Sequence, residues 1–188
     1  ALKPYTEGGD YLAALDQLNK LIKSNRKLAS AYFARGFIYY IEILDNSKAL
    51  KDFNQVISLN PNFSDAYGWR SDYLIFELGD FKKGIQDANK SVDVDQSNPI
   101  AYMSRGYAKQ EYAYALLDKN KEDKAEIIAK EAIEDFTSVI DKPFFKLSNI
   151  YKRQYAYGFL NDAHQQRGIT YVELGALYRT SNRKKNQT

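Results

Sequence analysis

The sequence contains no cysteine, a single histidine, a single methionine, a single tryptophan and four prolines in 188 residues. Without cysteine there is no disulfide, no thiolate metal site and no cysteine nucleophile, and the redox state of the compartment stays open. No apolar run approaches the roughly 20 residues that a membrane-spanning helix requires, so no membrane partner is expected. There is no glycine-rich phosphate loop and no His-Glu-x-x-His pair, and the sequence points to neither cofactor nor metal. An excess of one charge sign is also missing: 27 basic and 24 acidic residues leave a net charge of +3, interspersed along the chain and too weak to indicate a nucleic-acid partner. The one basic run, Arg183-Lys184-Lys185, lies in a polar tail over 181–188 and reads as a solvated end. The chain opens on Ala1 with no apolar leader, which is compatible with removal of a leader before this numbering; the compartment stays open, the cytoplasm being the nearer choice.

What is abundant is aromatic: 16 tyrosines and 10 phenylalanines, with 44% hydrophobic and 27% charged residues overall. That composition folds, and flat amphipathic rings fill much of the interior and some of the surface. The length suits one domain or a short repeat array.

Internal repetition is visible. Ala31-Tyr32-Phe33-Ala34-Arg35-Gly36, Ala66-Tyr67-Gly68-Trp69-Arg70-Ser71, Ala101-Tyr102-Met103-Ser104-Arg105-Gly106 and Ala163-His164-Gln165-Gln166-Arg167-Gly168 align without gaps, the first three 35 residues apart. A second block alternates with the first: Ala14 to Leu18, Ala49 to Phe53, Gly84 to Ala88 and Ala132 to Phe136. Apolar positions Ala14, Leu18, Leu21, Ile22 and Ala49, Phe53, Val56, Ile57 recur at i, i+4, i+7, i+8, a helical period. Turn signals separate the blocks, among them Leu44-Asp45-Asn46-Ser47, Leu78-Gly79-Asp80 and Asn60-Pro61-Asn62. Asn98-Pro99 predicts an N-cap with proline at the first helical position, and Ser64 predicts a cap for the helix carrying Tyr67. Each unit is therefore two helices and two turns. His164, in a slot that tyrosine fills in three other units, is expected to be a packing or surface residue and not a base.

Tyr32-x2-Arg35-Gly36-x2-Tyr39, then Ala49-x3-Phe53, then Pro61 resembles the signature of tetratricopeptide repeats (TPRs), with Tyr for Trp and Arg for Leu. The resemblance covers roughly residues 8 to 180 with interruptions. It implies an all-α α-solenoid, a right-handed superhelix of antiparallel helix pairs. One domain over 1–188 then divides into a second helix of a partial repeat (8–27), three repeats (28–62, 63–97 and 98–142), an inserted helix (143–158), the first helix of a partial repeat (159–180) and the polar tail. The third repeat is longer: Arg105 to Ala132 spans 27 residues where Arg35 to Ala49 spans 14, which predicts lengthened helices of roughly Ile100 to Leu117 and Lys121 to Ile140.

The repeated arginine precedes an aspartate by a constant 17 residues, Arg35 with Asp52 and Arg70 with Asp87, and by 30 in the lengthened unit, Arg105 with Asp135. A separation that tracks the fold predicts bridges between paired helices. Gly36, Gly106 and Gly168 sit inside helices, where glycine costs about 1 kcal/mol against alanine, and so predict close helix crossings. In the TPR family the first helices line a concave groove that takes peptides. Carried over, this implies a peptide-binding face of Phe33, Phe37, Tyr40, Trp69, Asp72, Phe76, Met103, Tyr107 and Gln166. None of these is basic, which argues against capture of a chaperone C-terminal carboxylate. The expectation is a non-enzymatic scaffold for a protein or peptide partner. Self-assembly, as a homodimer through open repeat ends, is the alternative, and an RNA-binding helical repeat a more distant one.

Overall fold

A computed structural model describes residues 11–141 and 161–176, and every element among them is helical. In chain order these are α1 Tyr11–Ser24, α2 Ala29–Ile38, α3 Asn46–Leu59, α4 Ser64–Phe76, α5 Phe81–Val94, α6 Pro99–Leu117, α7 Glu122–Asp141 and α8 over 161–176. The predicted inserted helix and the polar tail fall outside the described residues. No described helix is long and apolar enough to cross a membrane. Pairs α2/α3, α4/α5 and α6/α7 pack as hairpins, each first helix also touches the second helix of the preceding unit, and α4 packs on α6. This is the predicted all-α solenoid of helix pairs.

Local chemistry explains where each helix starts and stops. Asp45 and Asp80, 35 residues apart, accept from the backbone N–H of Lys48 (3.0 Å) and Lys83 (3.1 Å) and so cap α3 and α5. Asn98 caps α6 ahead of Pro99 by accepting from the N–H of Ile100. Asn25, Asn60 and Asp95, again 35 apart, each accept from the N–H two residues on and build the same turn at every unit boundary. Each hairpin reverses through a left-handed residue: Leu44 at φ 57°, Gly79 at 62° and Asn120 at 55°. At Gly79 this costs nothing sterically, and the Asp80 N–H returns to the Leu74 carbonyl to close the helix end. The end of α2 passes into a single π-helical turn over Tyr39–Ile43, although the first and second hairpins have the same length. The 13 residues inserted in the third unit go into the helices, α6 reaching 19 residues and α7 20, against 13 and 14 in α4 and α5.

Ser64 does not cap its helix. Phe63 occupies the cap position, and the Ser64 hydroxyl donates to the Ser91 carbonyl at 2.9 Å while Ser91 Oγ donates back to the Ser64 carbonyl at 2.8 Å. Asn98 Nδ2 joins this buried cluster by donating to Ser64 Oγ. A hydroxyl enclosed between α4 and α5 gains more from the neighbouring helix than from its own end, because buried polar groups without partners are costly.

The repeated arginines tie first helices to second helices, and Arg35 and Arg70 also reach the preceding helix. Arg35 Nε and Nη2 donate to the two carboxylate oxygens of Asp52 at 2.8 and 2.7 Å, and Nη1 donates to Asn19 of α1 at 2.7 Å. Arg70 repeats this on Asp87 at 2.6 and 2.8 Å and on Asn54 of α3 at 2.8 Å. Arg105 forks onto Asp135, which Lys109 also reaches at 2.9 Å. Each guanidinium lies over the tyrosine one turn earlier, Tyr32, Tyr67 or Tyr102, at 5.3–5.7 Å. Asn19, Asn54 and Asn89 share the 35-residue spacing, a signal that the Arg–Asp pattern alone overlooks. The fourth arginine, Arg167, lies on α8, and the residues following that helix are outside the description.

Shape is matched across each hairpin. Where the first helix has Gly36 or Gly106, the second offers Phe53 or Phe136, both 0% exposed; where it has Ser71, the second offers Ala88. Gly84, in place of Ala49, admits Ile75. At Gly168 a Cβ would meet nothing within 4 Å among the described residues, and the segment after α8, where its crossing partner is expected, lies outside them.

Two outcomes test these contacts. A Cβ at Gly106 would lie 2.5 Å from Cε1 of enclosed Phe136, so Gly106→Ala should lose about 1–2 kcal/mol net of its helix-propensity gain. Gly168→Ala should instead gain up to about 1 kcal/mol, and equal shifts in urea melts would contradict this packing. Arg70→Ala should cost about 2–3 kcal/mol, less than a fully buried pair because its side chain is 22% exposed. Asp87→Ala should add little on top of it in a double-mutant cycle.

Candidate peptide-binding groove

With the arginines turned toward the second helices, the opposite stripe of each first helix carries rings. Phe37 and Tyr40 of the α2 segment meet Trp69 of α4 edge-on, with centroids 5.1 and 5.8 Å apart. Phe76 of α4 meets Tyr107 of α6 at 6.3 Å, and Tyr107 in turn meets Phe136 at 5.7 Å. A ladder of tilted and edge-on rings thus links α2, α4 and α6, in the geometry that aromatic quadrupoles favour. Phe37, Tyr40, Trp69 and Tyr107 are half-buried, and Phe76 is 50% exposed. The ladder is accessible but held from below.

The sequence-derived face is not uniform. Met103 is 1% exposed and packs with Ala132, Phe136, Val139 and Ala163, so it belongs to the core and has no surface for a ligand. Its position one turn before Tyr107 put it on the groove stripe, but the arrival of α8 over α6 covers it. Gly68 and Ser104 bring α4 and α6 close together, since a Cβ on Gly68 would stand 2.9 Å from Ser104 Oγ. Phe33 is half-buried and turned toward Phe63 at 4.8 Å and Phe53 at 6.1 Å, a ring that seals one unit against the next. Tyr107 donates its hydroxyl to Asp162 of α8, with Gln166 close to the same hydroxyl. His164 is exposed.

Among these rings stands an isolated carboxyl group. Oδ1 of Asp72 is fully enclosed and has no hydrogen-bond partner, although the residue as a whole keeps some surface. Desolvation pushes its pKa up to about 7. Its negative charge in turn helps hold the Tyr40 and Tyr107 hydroxyls protonated, after their own burial. Further along, the Glu111 carboxyl is pushed up by burial and by Glu173 of α8, and Oε2 of Glu173 is likewise enclosed without a partner. Glu173 lies against Tyr114 at a small recess between α6, α7 and α8, which Thr170 and Leu174 also line. Among the described residues no three His, Cys, Asp or Glu side chains gather as metal ligands. The sequence placed Asp72 on the stripe, but its lack of a partner follows only from the packing around it.

No protein-family model matches the sequence, and no curated protein matches it. Solved structures do resemble the fold. MamA is 22% identical with a TM-score of 0.54, over 77% of this chain and 72% of that one. The TPR domain of OM64 from Arabidopsis is 21% identical with a TM-score of 0.51, over 79% and 94%. A tetratricopeptide repeat protein from Parabacteroides merdae is 15% identical with a TM-score of 0.51, over 91% and 73%. The chain therefore has the tetratricopeptide-repeat fold, as its Arg-Gly and Ala-x3-Phe blocks resemble.

The isolated carboxyl group makes a pH prediction. A carboxyl whose folded pKa lies above its unfolded value binds more protons in the folded state, so stability falls as pH rises from about 4 to 7. Asp72→Asn should remove that slope and raise stability at pH 8 by an amount of order 2 kcal/mol, discounted for partial exposure. Thermal melts of both proteins at pH 5 and pH 8 measure it; an unchanged pH dependence would show that Asp72 is already ionised at no cost.

Proposed function

We propose that this chain is a non-enzymatic scaffold that holds an extended peptide or protein segment along the face formed by α2, α4 and α6. The observation that carries this reading is the ladder Phe37, Tyr40, Trp69, Phe76 and Tyr107, which offers partly exposed rings on consecutive first helices while keeping each in a fixed edge-on contact. Rings immobilised before binding lose little entropy on contact, and aromatic anchors dominate most protein interfaces. Catalysis has little support here: Asp72 and Glu111 lie on different helices of the array, and His164 is exposed. Carboxylates in the groove would repel nucleic-acid phosphates, which sets RNA behind a polypeptide.

A second reading, assembly through repeat ends, draws on α8, where Ile169, Tyr171 and Val172 are 37%, 58% and 68% exposed. In sedimentation, a concentration-dependent dimer that dissociates when 162–188 is removed would favour it.

The groove reading is tested by selecting peptides from a displayed library on the folded chain and measuring them again on variants. Trp69→Ala and Phe76→Ala should each weaken the selected peptides about tenfold or more, the scale of one interface anchor, while circular dichroism stays unchanged. Peptides that bind both variants as tightly as the parent would place binding elsewhere and defeat the reading.

A further inference from the structure

Each described cation on helices α2, α4 and α6 is already committed. Arg35, Arg70, Arg105 and Lys109 are bonded to Asp52, Asp87 and Asp135 of the second helices, and Lys109 also reaches Glu131 at 3.2 Å. No other Lys or Arg occurs in these three helices. The exposed pairs at the hairpins, Lys48 with Asp45 and Lys83 with Asp80, are likewise internal to the second helices and their caps. Among the described residues the carboxylates on the groove side have no such neutralisation: no described cation acts on Asp72 or Glu111, and one oxygen each of Asp72 and Glu173 is enclosed without a described hydrogen bond. Asp72 keeps some surface beside its enclosed oxygen and Glu111 is half-buried, so a ligand's donor can approach carboxylates whose desolvation is not offset by a described cation.

We infer that the groove's ligand is a cationic segment, an extended chain that presents lysine or arginine side chains to Asp72 and Glu111 with apolar residues between them on the rings. This rests on the groove reading above and specifies its partner. A neutral or acidic segment leaves Asp72 and the half-buried Glu111 without a counter-charge; a cationic one supplies it in a setting of low dielectric, where a charge-assisted hydrogen bond is strongest. Neighbouring parallel helices pack with axes about 10 Å apart. Relative to the repeated arginines, Glu111 lies one turn further along α6 than Asp72 does along α4, about 6 Å. The carboxylates are then roughly 12 Å apart, about four residues of extended chain, which places the two cations at i and i+4 on one side of the segment.

Trp69 is the single tryptophan and lies on the same stripe, so its fluorescence reports the groove directly. The full chain is titrated at pH 7.5 with two end-blocked nine-residue peptides of leucine and serine, one carrying lysines at positions 3 and 7, the other glutamates there. The lysine peptide should shift Trp69 emission saturably and bind at least tenfold tighter than the glutamate peptide. The double variant Asp72→Asn/Glu111→Gln should lose at least tenfold for the lysine peptide while melting no lower than the parent. Equal binding of both peptides, an unaffected double variant, or no binding of the lysine peptide would each overturn the inference. If the glutamate peptide binds and is lost on Trp69→Ala, the groove stands without its cationic preference; if selected peptides ignore Trp69→Ala, the groove itself falls.

Discussion

The bidentate bond between a first-helix arginine and a second-helix aspartate fixes how this array is put together. It joins the two helices of a unit through Asp52, Asp87 or Asp135, and in the first two units the same guanidinium reaches back to Asn19 or Asn54 on the preceding helix. A planar fork with five donors can serve both directions at once, which a lysine cannot. Since the arginine side chains are about a fifth exposed, the bond does not carry the full desolvation cost of a buried ion pair. It sets the register between neighbours, and the apolar contacts beneath it supply the bulk of the burial.

That commitment shapes the opposite side of the helices. Arg35, Arg70 and Arg105 are drawn toward the second helices and away from the groove stripe of α2, α4 and α6, on which Asp72 and Glu111 carry the charge. The rings there are tied together by edge-on contacts across helices, and the enclosed Oδ1 of Asp72 lies among them. The same bonds that stabilise the scaffold therefore leave a face that is apolar, rigid and negative. Such a face is complementary to a cationic extended segment and unlike one built to hold a carboxylate.

The third unit shows what the array tolerates. Thirteen added residues lengthen α6 and α7 without disturbing the Arg105–Asp135 bond, because they enter beyond it on both helices. The lengthened hairpin also creates the ground on which α8 packs: Ala163 joins the cluster of Met103 and Phe136, and Leu174 joins that of Ala113 and Ile133. Covering α6 in this way takes Met103 out of the groove while leaving Tyr107 at its edge.

The sequence by itself determined the 35-residue register, the helix pairs, the turns at Asp45 and Asp80, the cap at Asn98, and the three Arg–Asp partnerships. These are legible because they depend on spacing along the chain and on groups a fixed number of residues apart, which repetition displays several times over. Asn19, Asn54 and the turn residues Asn25, Asn60 and Asp95 carried the same signal. Only the tertiary structure decided that Met103 is core, that Ser64 bonds across to Ser91 instead of capping α4, and that Oδ1 of Asp72 is enclosed without a described partner. Each of these depends on what a different helix brings to the same place. A helical stripe in the sequence says which residues share a face, and the neighbour that covers part of that face leaves no periodic mark.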